Sequence, residues 1–344
     1  MNFPYRFKVV FLSFLAVFIC YIDRVNISVA IIPMQQQFGW SESQVGIILG
    51  SFYFGYMITM TLGGYLADKY GGKRVLGYGL LIWSFFTIIT PVFAYSGLWF
   101  LILIRILMGL GEGITFPSWH AIYARWIPFE ERTRAIAVTN SGISFGTVFG
   151  YLATAIIIAQ YSWEWVFYSF GILGIFWYFF WNRSVTSYPE DNKNLSDKEL
   201  ELIKREAPSN STPPSIPITK LIKNGPFIAI AIATFCNNWA LYTFLSYLPK
   251  FVNSPTSSGG LGIELGSNLF IYLILIPSLF SIFSLLLGGY IADTFIKKGY
   301  KVINVRKTVN SIGFFGSSIL LFLISFQESL IHVLILLSLV NFCS

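Results

Sequence analysis

Long apolar runs separated by short polar loops dominate this chain. Nine are long enough to cross a membrane, at about residues 8–32, 45–67, 75–95, 98–122, 135–159, 165–182, 226–251, 267–292 and 308–327, and a tenth starts at 330–343. Each is near or above the roughly 20 residues that span ~30 Å of hydrocarbon as a helix. The runs lack the period-two alternation of barrel strands, and in lipid only a helix satisfies every backbone group within one segment. The pattern predicts an all-α membrane protein.

The runs are also duplicated. GGYLAD at 63–68 returns as GGYIAD at 288–293, each copy closing an apolar run ahead of a basic loop. A repeat at this spacing, 225 residues, marks two related halves. The first half ends near Asn182, so its counterpart is expected to end near residue 407, about 63 residues beyond Ser344. The expected organisation is a complete N-terminal six-helix bundle (1–182), a connector (183–224) and an incomplete C-terminal bundle (225–344). Within the connector, Ser196 to Glu199 resembles a capping box and Leu200 and Ile203 form a short apolar stripe, which predicts a small surface helix followed by a linker at 207–217. Gly142, Gly146 and Gly150 predict a smooth helix face open to close approach, while Asn140, Ser141, Ser144 and Thr147 beside them could line a polar path or bond their own backbone.

Charge sharpens this picture. Only 11% of residues are charged, against about a quarter in soluble domains. Of 23 Lys and Arg residues, 20 fall on one side of the expected membrane, two lie within it, and Lys250 alone is on the other side. The positive-inside rule then places the N-terminus in the cytoplasm of a multi-pass protein of the cell (inner) membrane, and the net charge of +7 reports topology rather than a nucleic-acid partner. Three cysteines, all in apolar segments, argue against a disulfide framework or a metal site. No cleavable leader is expected, and the Asn210 sequon falls on the cytoplasmic side.

Four ionisable residues interrupt the apolar runs: Asp23 and Arg24 in the first, Arg105 and Glu112 in the fourth. Insertion scales place each charge at a helix centre at ~2.5 to 3.5 kcal/mol, so these residues should pair or face water. The first helix runs outward and the fourth inward, which brings all four to similar depth. Such a cluster could bind an anion through a guanidinium and carry a proton on a carboxylate, or could simply lock two helices together by salt bridges. His120 and His332 are candidate proton carriers or packing residues. Asn237, Asn238 and Tyr242 give the seventh helix a polar stripe, and Tyr53 and Tyr56 do the same in the second. No nucleophile with a base and no phosphate-cradling loop suggests an enzyme, and no cofactor is expected.

GGYLADKYGGKR and LILIRILMGLGEG resemble the signatures of the major facilitator superfamily, and YIDRVNISVAI, GEGITFPSWHAIYARWIP, ERTRA, FCNNW and IADTF extend the likeness to its anion:cation symporter family. That family includes sialin, vesicular glutamate carriers, bacterial sugar-acid symporters and phosphate carriers of chloroplasts and cyanobacteria. The resemblance implies that Arg24 contacts the anion, that Asp23 and Glu112, with His120, carry coupling to protons or sodium, and that Arg105 pairs with an acid or the substrate. It assigns Asp68, Lys73, Arg74 and Asp293 to a cytoplasmic gate that packs against an eleventh helix beyond this sequence. Leu49 and Asn237 stand where glutamate carriers have histidine and arginine, which disfavours glutamate. The glycine-rich loop and NNW lean toward inorganic phosphate, whereas His120 leans toward the sialin branch. The expectation is a phosphate transporter working by alternating access. Its rivals are a proton-coupled sugar-acid symporter and a truncated, non-transporting membrane protein.

Overall fold

The apolar runs fold as helices in the computed structural model, which describes residues 4–205, 223–327 and 329–343, and not the side chains of 205, 285, 286, 289, 290 and 293. The predicted linker at 207–217 and the Asn210 sequon lie outside the described residues. The helices are α1 (Tyr5–Phe38), α2 (Glu42–Tyr70), α3 (Gly72–Ser96), α4 (Leu98–Glu112), α5 (Thr115–Trp126), α6 (Phe129–Gln160), α7 (Trp163–Ser184), α8 (Asp197–Arg205), α9 (Gly225–Asn253), α10 (Asn268–Lys297), α11 (Val302–Ile324) and α12 (Leu330–Cys343). Seven apolar segments among them, counting Leu98–Trp126 as one, have the length and hydropathy to cross a membrane. Two compact units divide between residues 209 and 210. In the first, α1 packs on α6 and α7, α2 on α4, and α3 on α4 and α7. In the second, α12 packs against α10 and α11.

The first unit is assembled around α1. Most of this helix is buried, including an unbroken stretch from Ile19 to Ile32. The three-glycine face of α6 makes that possible. A Cβ on Gly142 would meet the carbonyl oxygen of Phe14, one on Gly146 that of Phe18, and one on Gly150 the Val25 side chain, all on α1. The hydroxyls of Ser141 and Thr147 donate to carbonyls of their own helix, at 2.6 and 2.8 Å, which accounts for two of the small polar residues beside the glycines. The loop after the first copy of the repeat has a similar logic. Gly71, at φ +87°, turns the chain from α2 into α3, and Gly72 sits where a Cβ would lie 2.5 Å from the Ser118 carbonyl of α5.

Two sequence expectations need correction. The fourth apolar run is two helices rather than one, broken at Gly113–Ile114. Pro117 has no N–H to offer the Gly113 carbonyl, so the i→i−4 ladder lapses there and resumes with Ser118 donating to Ile114 at 3.1 Å. The second correction concerns the connector helix. Ser196 accepts the Glu199 N–H at 3.3 Å, but the Glu199 carboxylate does not turn back to complete a capping box. Instead it accepts the backbone N–H groups of Tyr5 and Arg6 at 2.9 and 3.0 Å and caps α1, whose own N-terminal Pro4 supplies no side-chain cap. Two orphan amides and a guanidinium outcompete one local amide. Arg6 completes the junction with a two-pronged contact to Glu131 at 2.7 and 2.9 Å and a further bond to Glu199 at 3.1 Å. Ile203 is buried beneath α8, as its place in the apolar stripe predicts.

Close approach of α1 and α6 makes a sharp test. Gly146→Leu should destabilise the first unit by about 1 to 3 kcal/mol or more through overpacking against the α1 backbone. Val138→Leu, at a half-exposed position of the same helix, should leave thermal unfolding in detergent unchanged.

Candidate functional site

All four intramembrane charges are buried inside the first unit, each at most 2% exposed. Their placement follows from helix geometry. Residues 23 and 24 are adjacent on α1 and so point about 100° apart around the axis. Arg24 turns toward α2 and α4, where its Nε donates to Glu112 Oε1 at 2.8 Å and its Nη2 makes an ion pair with the same oxygen. Aromatic rings surround the guanidinium: Tyr21, Tyr56 and Phe52 lie 4.7, 4.6 and 5.6 Å from it. Asp23 turns toward α3, accepting the Trp83 indole N–H at 3.1 Å and an amide hydrogen of Asn26 at 3.4 Å.

Arg105 is held differently. It makes no ion pair among the described residues; its guanidinium lies over the Phe52 ring at 5.0 Å, with Nη1 3.9 Å from the Met108 sulfur, and its buried Nε has no hydrogen-bond partner. The Phe52 ring thus stands beside both arginines. Phe52 and Tyr56 join Ile104 and Met108 in a core cluster, with Tyr53 half-buried against it, and this cluster fixes the α2–α4 contact behind the charges. A buried guanidinium without a carboxylate partner is suited to an incoming oxyanion.

Sequence reasoning did not single out three of these contacts. Cys20, one turn before Arg24, places its thiol 3.1 Å from Glu112 Oε1 and 3.7 Å from Arg24 Nη2. Its spacing of four from Arg24 was the available signal. Trp83 and Phe52 carried no comparable signal, since aromatic residues are abundant throughout the chain.

The other candidates are placed elsewhere. His120 is exposed on α5, stacked on Trp119 with ring centroids 3.6 Å apart, and its Nδ1 lies 2.8 Å from the Phe116 carbonyl of its own helix. No hydrogen bond joins it to the four charges among the described residues. Lys73 donates to Asn182 at 2.8 Å, and Asp68 and Arg74 are exposed at the α2–α3 turn. Asn237, Asn238 and Tyr242 lie on α9 in the second unit, with Asn237 exposed and the other two half-buried. His332 is exposed on α12. The Asp293 side chain lies outside the described residues. Among the described residues no group of His, Cys, Asp and Glu is arranged to hold a metal ion.

Residues 13–344 match the family model of the Major Facilitator Superfamily. The chain belongs to that superfamily. Sialin of Homo sapiens, 34% identical over 92% of this chain and 69% of its own length, bears out the resemblance to the anion:cation symporter family. Two chloroplast proteins of Arabidopsis thaliana are also similar: an ascorbate transporter, 38% identical over 93% of this chain and 58% of its own length, and a sodium-dependent phosphate transport protein, 38% identical over 93% of this chain and 61% of its own length. The chain thus spans about three fifths of the length of these relatives. A crystal structure of a bacterial homologue of the lysosomal transporter Spinster shares the fold, with a TM-score of 0.74 and 16% identity over the whole of this chain and 73% of that one. Members of this superfamily are integral membrane transporters, not enzymes, and its fold accounts for the helical units described above.

The Arg24–Glu112 pair permits a test separating structure from function. Arg24→Leu should strand a buried carboxylate and lower stability by about 3 to 5 kcal/mol. Adding Glu112→Leu should restore thermal stability, because apolar packing can replace a buried pair. A double variant no more stable than the single would show that apolar packing cannot replace the pair at this place.

Proposed function

We propose that this chain provides the anion site of a secondary active transporter of inorganic phosphate, driven by a proton or sodium gradient through alternating access between two related halves. The observation that carries this reading is the buried arginine pair: Arg24 neutralised by Glu112, and Arg105 without a carboxylate partner against the same aromatic ring. An anion bound at Arg105 can draw Arg24 from Glu112, since phosphate oxygens accept the same planar fork of donors. Glu112, left without its guanidinium in so buried a site, must then take a proton or a cation, which ties substrate entry to cation entry. Asp23, held by neutral donors on the α3 side, is a second cation-coupling carboxylate. Tyr53 supports the same site from α2, and Asn237, Asn238 and Tyr242 of the second half are further candidates for contact with the anion. His120 is a further coupling candidate, and Asp68, Lys73, Arg74 and Asp293 form the cytoplasmic gate. The basic loops support a cytoplasmic N-terminus in the cell membrane.

The relative that transports phosphate with sodium supports this substrate. The equally identical ascorbate transporter supports a second reading, an organic acid anion such as a sugar acid, presented to the same arginines. Competition separates them. Uptake of labelled phosphate into proteoliposomes containing the protein should be abolished by excess unlabelled phosphate and little affected by gluconate or ascorbate. Strong inhibition by either organic acid would favour the second reading. Absence of gradient-driven uptake of all three would remove the transport proposal.

Two substitutions test the roles. Arg24→Ala should reduce uptake to background while the protein still inserts. Glu112→Gln should lose gradient-driven accumulation yet keep anion exchange, and accumulation at the normal rate in this variant would remove Glu112 from coupling.

A further inference from the structure

A groove of about 450 Å³ runs along the first unit between α1 and α7, from Lys8 to Ile19 on one helix and from Ser184 to Leu173 on the other. Its floor is fixed by the Trp177 indole, which donates to the Leu12 carbonyl at 2.9 Å. The walls are apolar, and Phe11, Phe176 and Phe180 stand 56, 59 and 63% exposed along them. Eleven residue steps of helix rise about 16 Å, close to half of the ~30 Å hydrocarbon layer, so the groove is one leaflet deep.

Its two ends are unlike. The deep end is closed by Ile19 and Leu173, and the shallow end carries Lys8 and Ser184. Lys8 is exposed, its Nζ lies 5.2 Å from the Tyr5 ring centroid and it makes no ion pair among the described residues, whereas its neighbour Arg6 is engaged by the carboxylates of Glu131 and Glu199. A cation at the headgroup end of an aromatic slot one leaflet long complements one kind of molecule. We propose that this groove binds an anionic phospholipid, with an acyl chain along the aromatic walls and the phosphate at Lys8. The assignment is independent of what the protein transports, because it uses no residue of the charged cluster.

Native mass spectrometry of the full chain, released from detergent after mixing with equal amounts of phosphatidylglycerol and phosphatidylcholine of matched chain length, tests it. The protein should retain phosphatidylglycerol about fivefold over phosphatidylcholine, the preference expected of one lysine facing an anionic headgroup. Lys8→Gln, a surface change that leaves the fold intact, should equalise the two lipids. Leu15→Trp, which fills the groove, should remove retained lipid of both kinds. Equal retention of both lipids by the unmodified protein, or an unchanged preference in Lys8→Gln, would overturn the proposal.

Discussion

The ion pair between Arg24 and Glu112 is the constraint around which the first unit is arranged. A charge at hydrocarbon depth is costly without a partner, and these two come from helices distant in sequence. Arg24 can reach Glu112 only if α1 runs centrally, with α2 and α4 on one side and α6 and α7 on the other. Gly142, Gly146 and Gly150 allow α6 to lie directly against the α1 backbone. The rings of Tyr21, Phe52 and Tyr56 then close around the guanidinium and exclude water from the pair. Loss of the glycine face or of the aromatic enclosure would therefore be felt at the charges.

The N-terminal end of α1 follows a related rule. The first four amides of a helix need acceptors, and α1 begins at a proline that offers none. Glu199 provides acceptors for two of them from a helix nearly two hundred residues away, and Arg6 binds that carboxylate and Glu131 together. The inner half of the connector thereby becomes part of the first unit.

Much of this was legible in the sequence because its causes are local or forced. Hydrophobic length gave the helices, glycine spacing marked a face of α6 open to close approach without naming α1 as its partner, and the cost of unpaired charge in lipid required Asp23, Arg24 and Glu112 to find polar partners. What stayed hidden depends on side-chain direction and competition. Nothing in the spacing shows that Asp23 turns to Trp83, or that Arg105 rests on Phe52 rather than on an acid. The break before Pro117 was visible in principle, but the apolar run continues through it and masks the missing amide. The Ser196–Glu199 pattern looks self-sufficient in the sequence, where nothing marks the N-terminus of α1 as a competitor for the carboxylate.

Asp23 and Arg24 are neighbours in sequence, yet their side chains inhabit different chemical rooms, one bounded by the indole of α3 and the other by the rings of α1 and α2 and the carboxylate of α4. An aspartate beside an arginine invites the assumption that the two neutralise each other. Here the backbone between them acts as a partition. The dipeptide therefore hands its acid to one set of neighbours and its base to another, so that one turn of α1 serves two sides of the first unit at once.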